Sequence, residues 1–218
     1  DEDVQVRCGQ FGEIAVGGSH LLRRPIAICK VEGRDITFCY QVKGEGMQRL
    51  KSAAVGTQLN VLMPLGNGFF VEENERKVAL VGGGVGVFPL ISVLRQYYGE
   101  KVISAYIGYR NKDAVCGVEE FTKATRFVGV TDDGSYGRHG NVTVPLDEML
   151  AAGEKFDMII TIGPLIMMKF VTLTAKKYDA PITVSMSPIM IDGTGMCGGC
   201  RLTLNTPEGP KMKFACVD

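Results

Sequence analysis

Asp192, Cys197, Cys200 and Cys216 lie in the run IDGTGMCGGCRLTLNTPEGPKMKFAC, with four, two and fifteen residues between successive members. Three thiolates and a carboxylate are four anionic donors. The intervening Gly193, Gly195, Gly198 and Gly199 let a short loop take left-handed turns and close those donors round metal. Cys8, Cys29, Cys39 and Cys116 sit singly, mostly in apolar strand-like runs where a cysteine is ordinarily a small buried hydrophobe.

Intervals of four and then two residues also separate the first three cysteines of plant-type 2Fe-2S sites, with a distant fourth. Here an aspartate holds the first place. The pattern predicts a 2Fe-2S cluster on Asp192, Cys197, Cys200 and Cys216. Structural zinc would accept the same donors, but its usual signature is two close ligand pairs and this chain has one. Seven cysteines, an odd number, do not suit a disulfide framework. Asp192 has a plainer reading as well: Asp-Gly is a common turn pair, so the carboxylate could shape the loop while another residue completes the cluster.

Composition narrows the field. Across 218 residues, 24 Lys and Arg balance 24 Asp and Glu, so the chain lacks the basic surplus of a nucleic-acid binder. No apolar stretch is long enough to span a bilayer, and the charged start DEDVQVR does not read as a signal peptide, so a cytoplasmic location is expected. Two histidines and no tryptophan leave little material for His-based hydrolysis.

Three segments must position the loop. Residues 1–74 read as short strands, Ile26–Val31, Ile36–Val42 and Gln58–Leu62, bounded by Glu32-Gly33-Arg34, Gly44-Glu45-Gly46 and Pro64, and predict a small antiparallel barrel. Residues 75–182 alternate apolar strands (Val78–Val81, Val102–Ile107, Phe127–Val130, Met158–Ile162) with helices (Val87–Tyr98, Glu119–Thr125, Val144–Ala152, Leu165–Lys177). Such alternation predicts a parallel sheet covered on both faces. Residues 183–218 carry the ligand loop. The class is α/β plus β.

The strand ending in Gly82-Gly83-Gly84-Val85-Gly86 and running into a helix is a way of presenting backbone amides to a pyrophosphate, although glycines also serve ordinary strand-to-helix turns. Pro89 replaces the third fingerprint glycine, and the next strand ends in Gly108-Tyr109-Arg110 without an acidic residue for ribose. Thr131-Asp132-Asp133-Gly134-Ser135-Tyr136-Gly137 and Gly163-Pro164 also follow strands. In a parallel sheet such loops line one edge, where their polar groups could hold ribose, amide and phosphate.

Arg24-Pro25-Ile26-Ala27-Ile28, Gly44-Glu45-Gly46, Pro64-Leu65-Gly66-Asn67-Gly68-Phe69, Gly82 to Leu90 and Gly163-Pro164, in this order, resemble the ferredoxin-NADP reductase superfamily. Within it the terminal loop resembles the electron-transfer subunits of type B dihydroorotate dehydrogenase and of bifurcating NADH-dependent reduced ferredoxin:NADP oxidoreductase. Asp-Gly-Thr-Gly-Met-Cys-Gly-Gly-Cys is nearer the second, because the first normally has cysteine in the leading position. The resemblance implies FAD along Arg24, Pro25, Ile26 and Ala27, flanked by Tyr40, Gln41 and Val42, with its pyrophosphate at Gly46 and Met47. It implies NAD(H) at Gly83, Gly84 and Gly86, with Arg110 and Asp133 near ribose and Gly163-Pro164 near the nicotinamide. NADP(H) is left open, since Arg110 suits a 2′-phosphate while Asp132 and Asp133 repel one.

Some positions depart from the family pattern. Ala27 lacks the hydroxyl usually found near the flavin, Met47 replaces a common threonine, and Ile162 stands where many relatives carry a cysteine. A first barrel strand is expected to be missing or shortened. The resemblance implies a subunit that passes electrons between NAD(H), FAD, a 2Fe-2S cluster and a larger partner flavoprotein, with no side chain nominated as catalytic acid or base. Alternatives are the dihydroorotate dehydrogenase B subunit and, from another class, a zinc-stabilised nucleotide-binding regulatory protein.

Overall fold

The computed structural model describes residues 5–218; residues 1–4, in the charged start and the expected 1–74 segment, lie outside them. The chain forms two compact units: residues up to Phe69 together with Ser187–Asp218, and Phe70–Met186.

The first unit contains an antiparallel sheet of β1 (Phe11–Ile14), β2 (Arg24–Glu32), β3 (Asp35–Phe38) and β4 (Val61–Leu65), in the order β3-β2-β1-β4. Ile14, Ile26 and Val16 pack with Met47 and Leu50 of helix α1 (Gly44–Lys51) in one core. The register sets Ile14 against Arg24, Glu13 against Pro25 and Phe11 against Ala27. β4 runs through Pro64, which the sequence reading took as a boundary. β4 is an edge strand, where the missing N–H of proline leaves no ladder bond unmade. β3 stops at Phe38, short of the expected Val42, and Gly44-Glu45-Gly46, expected as a turn, opens α1. In the same unit β11 (Arg201–Thr206) and β12 (Gly209–Phe214) form a hairpin.

The second unit is a six-stranded parallel sheet of order β10-β9-β5-β6-β7-β8, comprising β5 (Lys77–Gly83), β6 (Val102–Tyr109), β7 (Arg126–Thr131), β8 (Arg138–His139), β9 (Met158–Ile162) and β10 (Ile182–Val184). From Val78 onward β5 is buried throughout, which is why it reads as a continuous apolar run rather than an alternating one. Helix α2 (Val87–Tyr97) buries Val87, Leu90, Ile91 and Leu94, the i, i+3, i+4, i+7 face of an amphipathic helix. The chain leaves α2 through Gly99 at φ +81°, where a Cβ would be strained.

The expected helix at Glu119–Thr125 is a single turn, α3 (Val118–Phe121). Helices α4 (Thr143–Ala151) and α5 (Leu165–Lys177) give Leu146, Leu150, Val171 and Ala175 to a core with Ala79, Val81, Tyr106 and Ile159. In that core Phe156 meets Tyr106 edge-on, with ring centroids 6.4 Å apart. Truncating such a ring costs about 3–5 kcal/mol.

Candidate cofactor and iron-sulfur sites

The terminal loop is built by its hairpin. Cys200 precedes β11 and Cys216 follows β12; Arg201 pairs with Phe214, and Ala215 N–H bonds the Cys200 carbonyl at 3.1 Å. The two buried sulfurs are therefore 3.2 Å apart despite their separation in sequence. Burial pushes the Cys216 thiol up to about 11, and the neighbouring Cys200 adds to the shift. The hairpin was missed from sequence. Its signal was Pro207-Glu208-Gly209 between two runs of alternating side chains.

Asp192 forms the other half. Its Oδ1 accepts from the Thr194 N–H at 2.7 Å and its Oδ2 from the Cys197 N–H at 2.8 Å. The Thr194 bond leads in holding the carboxyl below the usual aspartate range. Cys197 is exposed, and its sulfur accepts from the Gly199 N–H at 3.3 Å. Among the described residues no three His, Cys, Asp or Glu side chains converge on one point. A two-iron cluster does not need them to, because its ligands divide between two irons. The donor set therefore fits the cluster as Cys200 with Cys216 and Asp192 with Cys197, the second couple joined here through a backbone N–H.

The loop sits on the antiparallel sheet. Gly193 has φ +74°, and a Cβ there would lie 2.9 Å from Leu65 Cδ1 and 3.2 Å from both Glu13 Cγ and Phe11 Cε2. Only glycine permits that conformation and that approach. Phe11 and Glu13 belong to β1, whose other neighbour β2 carries Arg24 to Ala27.

At the start of β2, Arg24 Nη1 donates to the Leu22 and Arg23 carbonyls at 2.7 and 3.2 Å. Its guanidinium lies over the first turn of α1, where a Cβ on Gly46 would be 2.6 Å from Nη2. First-turn N–H groups have no intrahelical partner, so this cation over free amides fits a phosphate. Met47 packs in the core at 9% exposure, so only its backbone could meet such a group. Tyr40 is half-buried against the same core, while Gln41 and Val42 are exposed.

In the second unit the strand order reverses between β5 and β9, the switch point where open α/β sheets bind ligands beyond their strand ends. The glycine turn follows β5, and Gly163-Pro164 follows β9. A Cβ on Gly83 would meet Met167 Sδ at 2.7 Å, and one on Gly86 would meet the Ile162 carbonyl oxygen at 2.5 Å. Gly84 is at φ +56° with open space before it. Gly83 and Gly86 thus pack closely on the chain after β9 while Gly84 faces open space, a turn without side chains that fits a dinucleotide's phosphates.

Arg110, just past β6, is exposed. Asp133, past β7, accepts from Ser135 Oγ at 2.6 Å and Ser135 N–H at 3.0 Å; these bonds hold its carboxyl below the usual range. Ser135 Oγ in turn accepts from the Lys112 N–H at 2.7 Å, tying the loops after β6 and β7 together. Ser135, Thr194 and Glu13 were not singled out in the sequence. The first two could have been found as Asx-turn partners, two residues after an aspartate.

Residues 187–218 match the model of the iron-sulfur cluster binding domain of dihydroorotate dehydrogenase B. Over 202 residues the chain is 41% identical to a dihydroorotate dehydrogenase B (NAD(+)) electron transfer subunit homolog of Thermotoga maritima, covering 90% of this chain and 69% of that one. It is 33% identical to the electron transfer subunit of Caldanaerobacter subterraneus subsp. tengcongensis, covering 96% and 82%. A solved structure of NADH-dependent reduced ferredoxin-NADP oxidoreductase superposes with a TM-score of 0.84 at 32% identity, covering 98% of this chain and 76% of that one. The ferredoxin reductase of carbazole 1,9a-dioxygenase shares the fold, with a TM-score of 0.70 at 19% identity, 84% of this chain and 61% of that one being covered. No helix among the described residues is long and apolar enough to cross a membrane. An iron-sulfur-binding loop on a flavin-reductase-like antiparallel sheet, joined in one chain to a parallel nucleotide-type sheet, agrees with these matches: the chain belongs to the family of dihydroorotate dehydrogenase B electron-transfer subunits and their homologues.

Proposed function

We propose that this chain passes electrons between NAD(H) and a larger partner flavoprotein through FAD and a 2Fe-2S cluster, as in the bifurcating NADH-dependent reduced ferredoxin:NADP oxidoreductase. A bound flavin supplies a carrier that takes two electrons as hydride and releases them singly to iron and sulfur. The chain binds, orients and tunes. Arg24 and the first turn of α1 at Gly46 and Met47 hold the FAD pyrophosphate, with Pro25, Ile26 and Ala27 along the ring system and Tyr40, Gln41 and Val42 beside it. Gly83, Gly84 and Gly86 take the nicotinamide nucleotide's phosphates, Arg110 and Asp133 its ribose, and Gly163-Pro164 the nicotinamide end. Asp192, Cys197, Cys200 and Cys216 are the cluster ligands.

The observation that carries this reading lies in the first unit. Gly193 of the cluster loop packs on β1, whose Phe11 to Ile14 pair in register with Ala27 to Arg24 of β2. Adjacent strands are about 5 Å apart, so one strand separates the flavin motif from the cluster loop. Asp192 in the leading loop position supports the bifurcating type. A second reading, the dihydroorotate-coupled subunit, is supported by the 33% identity over 96% of the chain to a protein of that name.

Anaerobic purification of the native complex separates them. Dihydroorotate-dependent reduction of NAD would sink the first reading; ferredoxin- and NADP-linked turnover without it supports that reading. Colourless protein containing zinc, without iron, sulfide or flavin, would overturn both.

A further inference from the structure

Glu13 is the anomaly of the first unit. It lies on the central strand β1, fully buried, and neither carboxyl oxygen has a hydrogen-bond partner among the described residues. Beside it under Gly193 lie the apolar Phe11, two residues before it on β1, and Leu65. An apolar side chain would fill the place without leaving a buried polar group unsatisfied, a desolvation cost with nothing in return. Arg23 favours the charged form through space but donates no hydrogen bond to the carboxyl; its Nη1 is bonded to the backbone carbonyls of Glu13 and Asn60 at 3.3 and 3.1 Å.

What covers Glu13 is the cluster loop. Gly193 comes so close that a Cβ would stand 3.2 Å from Glu13 Cγ. Burial dominates in raising the carboxyl above its ordinary value and Asp192 adds to this, while Arg23 and Arg24 oppose it. An unpaired buried carboxylate is disfavoured against the neutral acid, and an acid with no acceptor among the described residues has an O–H to give elsewhere.

We propose that Glu13 is a positioning residue for the iron-sulfur group, a neutral acid held beneath Gly193 whose O–H, without an acceptor in the loop, is left for that group and raises its reduction potential. The proposal rests on the cluster reading of the 192–216 loop. Hydrogen bonds near a cluster are among the protein's means of setting its potential, because they stabilise the charge added on reduction. Glu13 is two residues from Phe11 and pairs with Pro25 of the flavin motif, so it stands between the two sites it would tune.

The test is a redox titration of the cluster, followed by electron paramagnetic resonance, in the full chain with its native partner. Wild type is compared with Glu13→Gln, which keeps a donor, and Glu13→Met, which keeps length and removes polarity. Glu13→Met is expected to lower the reduced-to-oxidised ratio about tenfold at a given ambient potential, a shift of about 59 mV for one electron. Its melting temperature should be at or above that of wild type, since an orphan polar group is gone. Glu13→Gln should stay within about threefold of wild type, less than half of that logarithmic shift, because the amide still donates.

Glu13→Met at the wild-type potential overturns the proposal. So does a tenfold rise in Glu13→Gln, which would mark the loss of a negative charge. If Glu13→Met takes up no cluster, Glu13→Leu replaces it as the variant without a donor: a tenfold fall with Glu13→Gln unchanged upholds the role, and a wild-type potential overturns it. Wild type that itself lacks iron and sulfide would mean that the functional reading had failed instead.

Discussion

Cys200 and Cys216 hold their sulfurs 3.2 Å apart because a single hairpin starts beside one and ends beside the other. The interval between them, which reads as an arbitrary gap in the chain, is the length of two paired strands and their turn. Asp192 and Cys197 form the complementary couple, joined through the Cys197 N–H at 2.8 Å.

Cys200→Ser and Cys216→Ser should each abolish most iron and sulfide binding while the parallel-sheet unit keeps its fold. A serine oxygen is harder and far less acidic than a thiolate, so it is a poor substitute in a sulfur-rich site. Iron and sulfide analysis per chain measures this; wild-type content in either variant would remove that residue from the ligand set.

Asp192→Cys should keep a cluster with an altered visible and paramagnetic spectrum, since thiolate donates more covalently than carboxylate. An unchanged spectrum would assign Asp192 to the turn alone, the role its bonds to the Thr194 and Cys197 N–H groups already give it.

Gly86→Ala tests the nucleotide cradle by size alone. Gly86 has φ −64°, comfortable for alanine, yet the new Cβ would meet the Ile162 carbonyl oxygen at 2.5 Å. Forcing β5's turn away from β9 should weaken NADH binding by about tenfold or more and destabilise the unit by about 1–3 kcal/mol. Gly84→Ala meets no neighbour but must hold φ +56°, a strain of about 1–2 kcal/mol. Calorimetric titration with NADH checks both, and FAD content should stay constant.

Asp157→Asn should show in the acid limb of stability. Asp157 Oδ2 accepts the Arg76 and Lys77 N–H groups, both at 2.8 Å, joining the entries of β5 and β9. The Lys77 bond leads in depressing its folded value. The stabilisation is therefore full above the unfolded aspartate value of about 3.9 and is lost as pH falls through the lower folded one. Asp157→Asn should melt lower than wild type at pH 7, and the gap should close as the pH is taken towards about 2. A gap of constant size across that range would show that the carboxylate's charge is not what the two N–H groups hold.

Much of this protein is local and was legible. Helix α5 occupies Leu165–Lys177 as its periodicity predicts, the Gly82–Gly86 turn lies between a buried strand and an amphipathic helix, and the donor types of the terminal loop are evident from their spacing. Pairing between distant strands carries no such local signature. Pro64 reads as a break until its strand is seen at a sheet edge. Glu13 lies in a stretch for which the sequence predicts no strand, and nothing marks it until β1 is seen there with the loop about 180 positions later closed over it.

Residue chemistry and local periodicity thus indicate by sequence alone the proposed kinds of site: thiolates suited to metal, glycines suited to phosphate, an arginine suited to an anion. Tertiary structure decided which of them meet. Whether two loops converge depends on non-local hydrogen-bonded registers and on burial, quantities that belong to the folded chain and to no stretch of it.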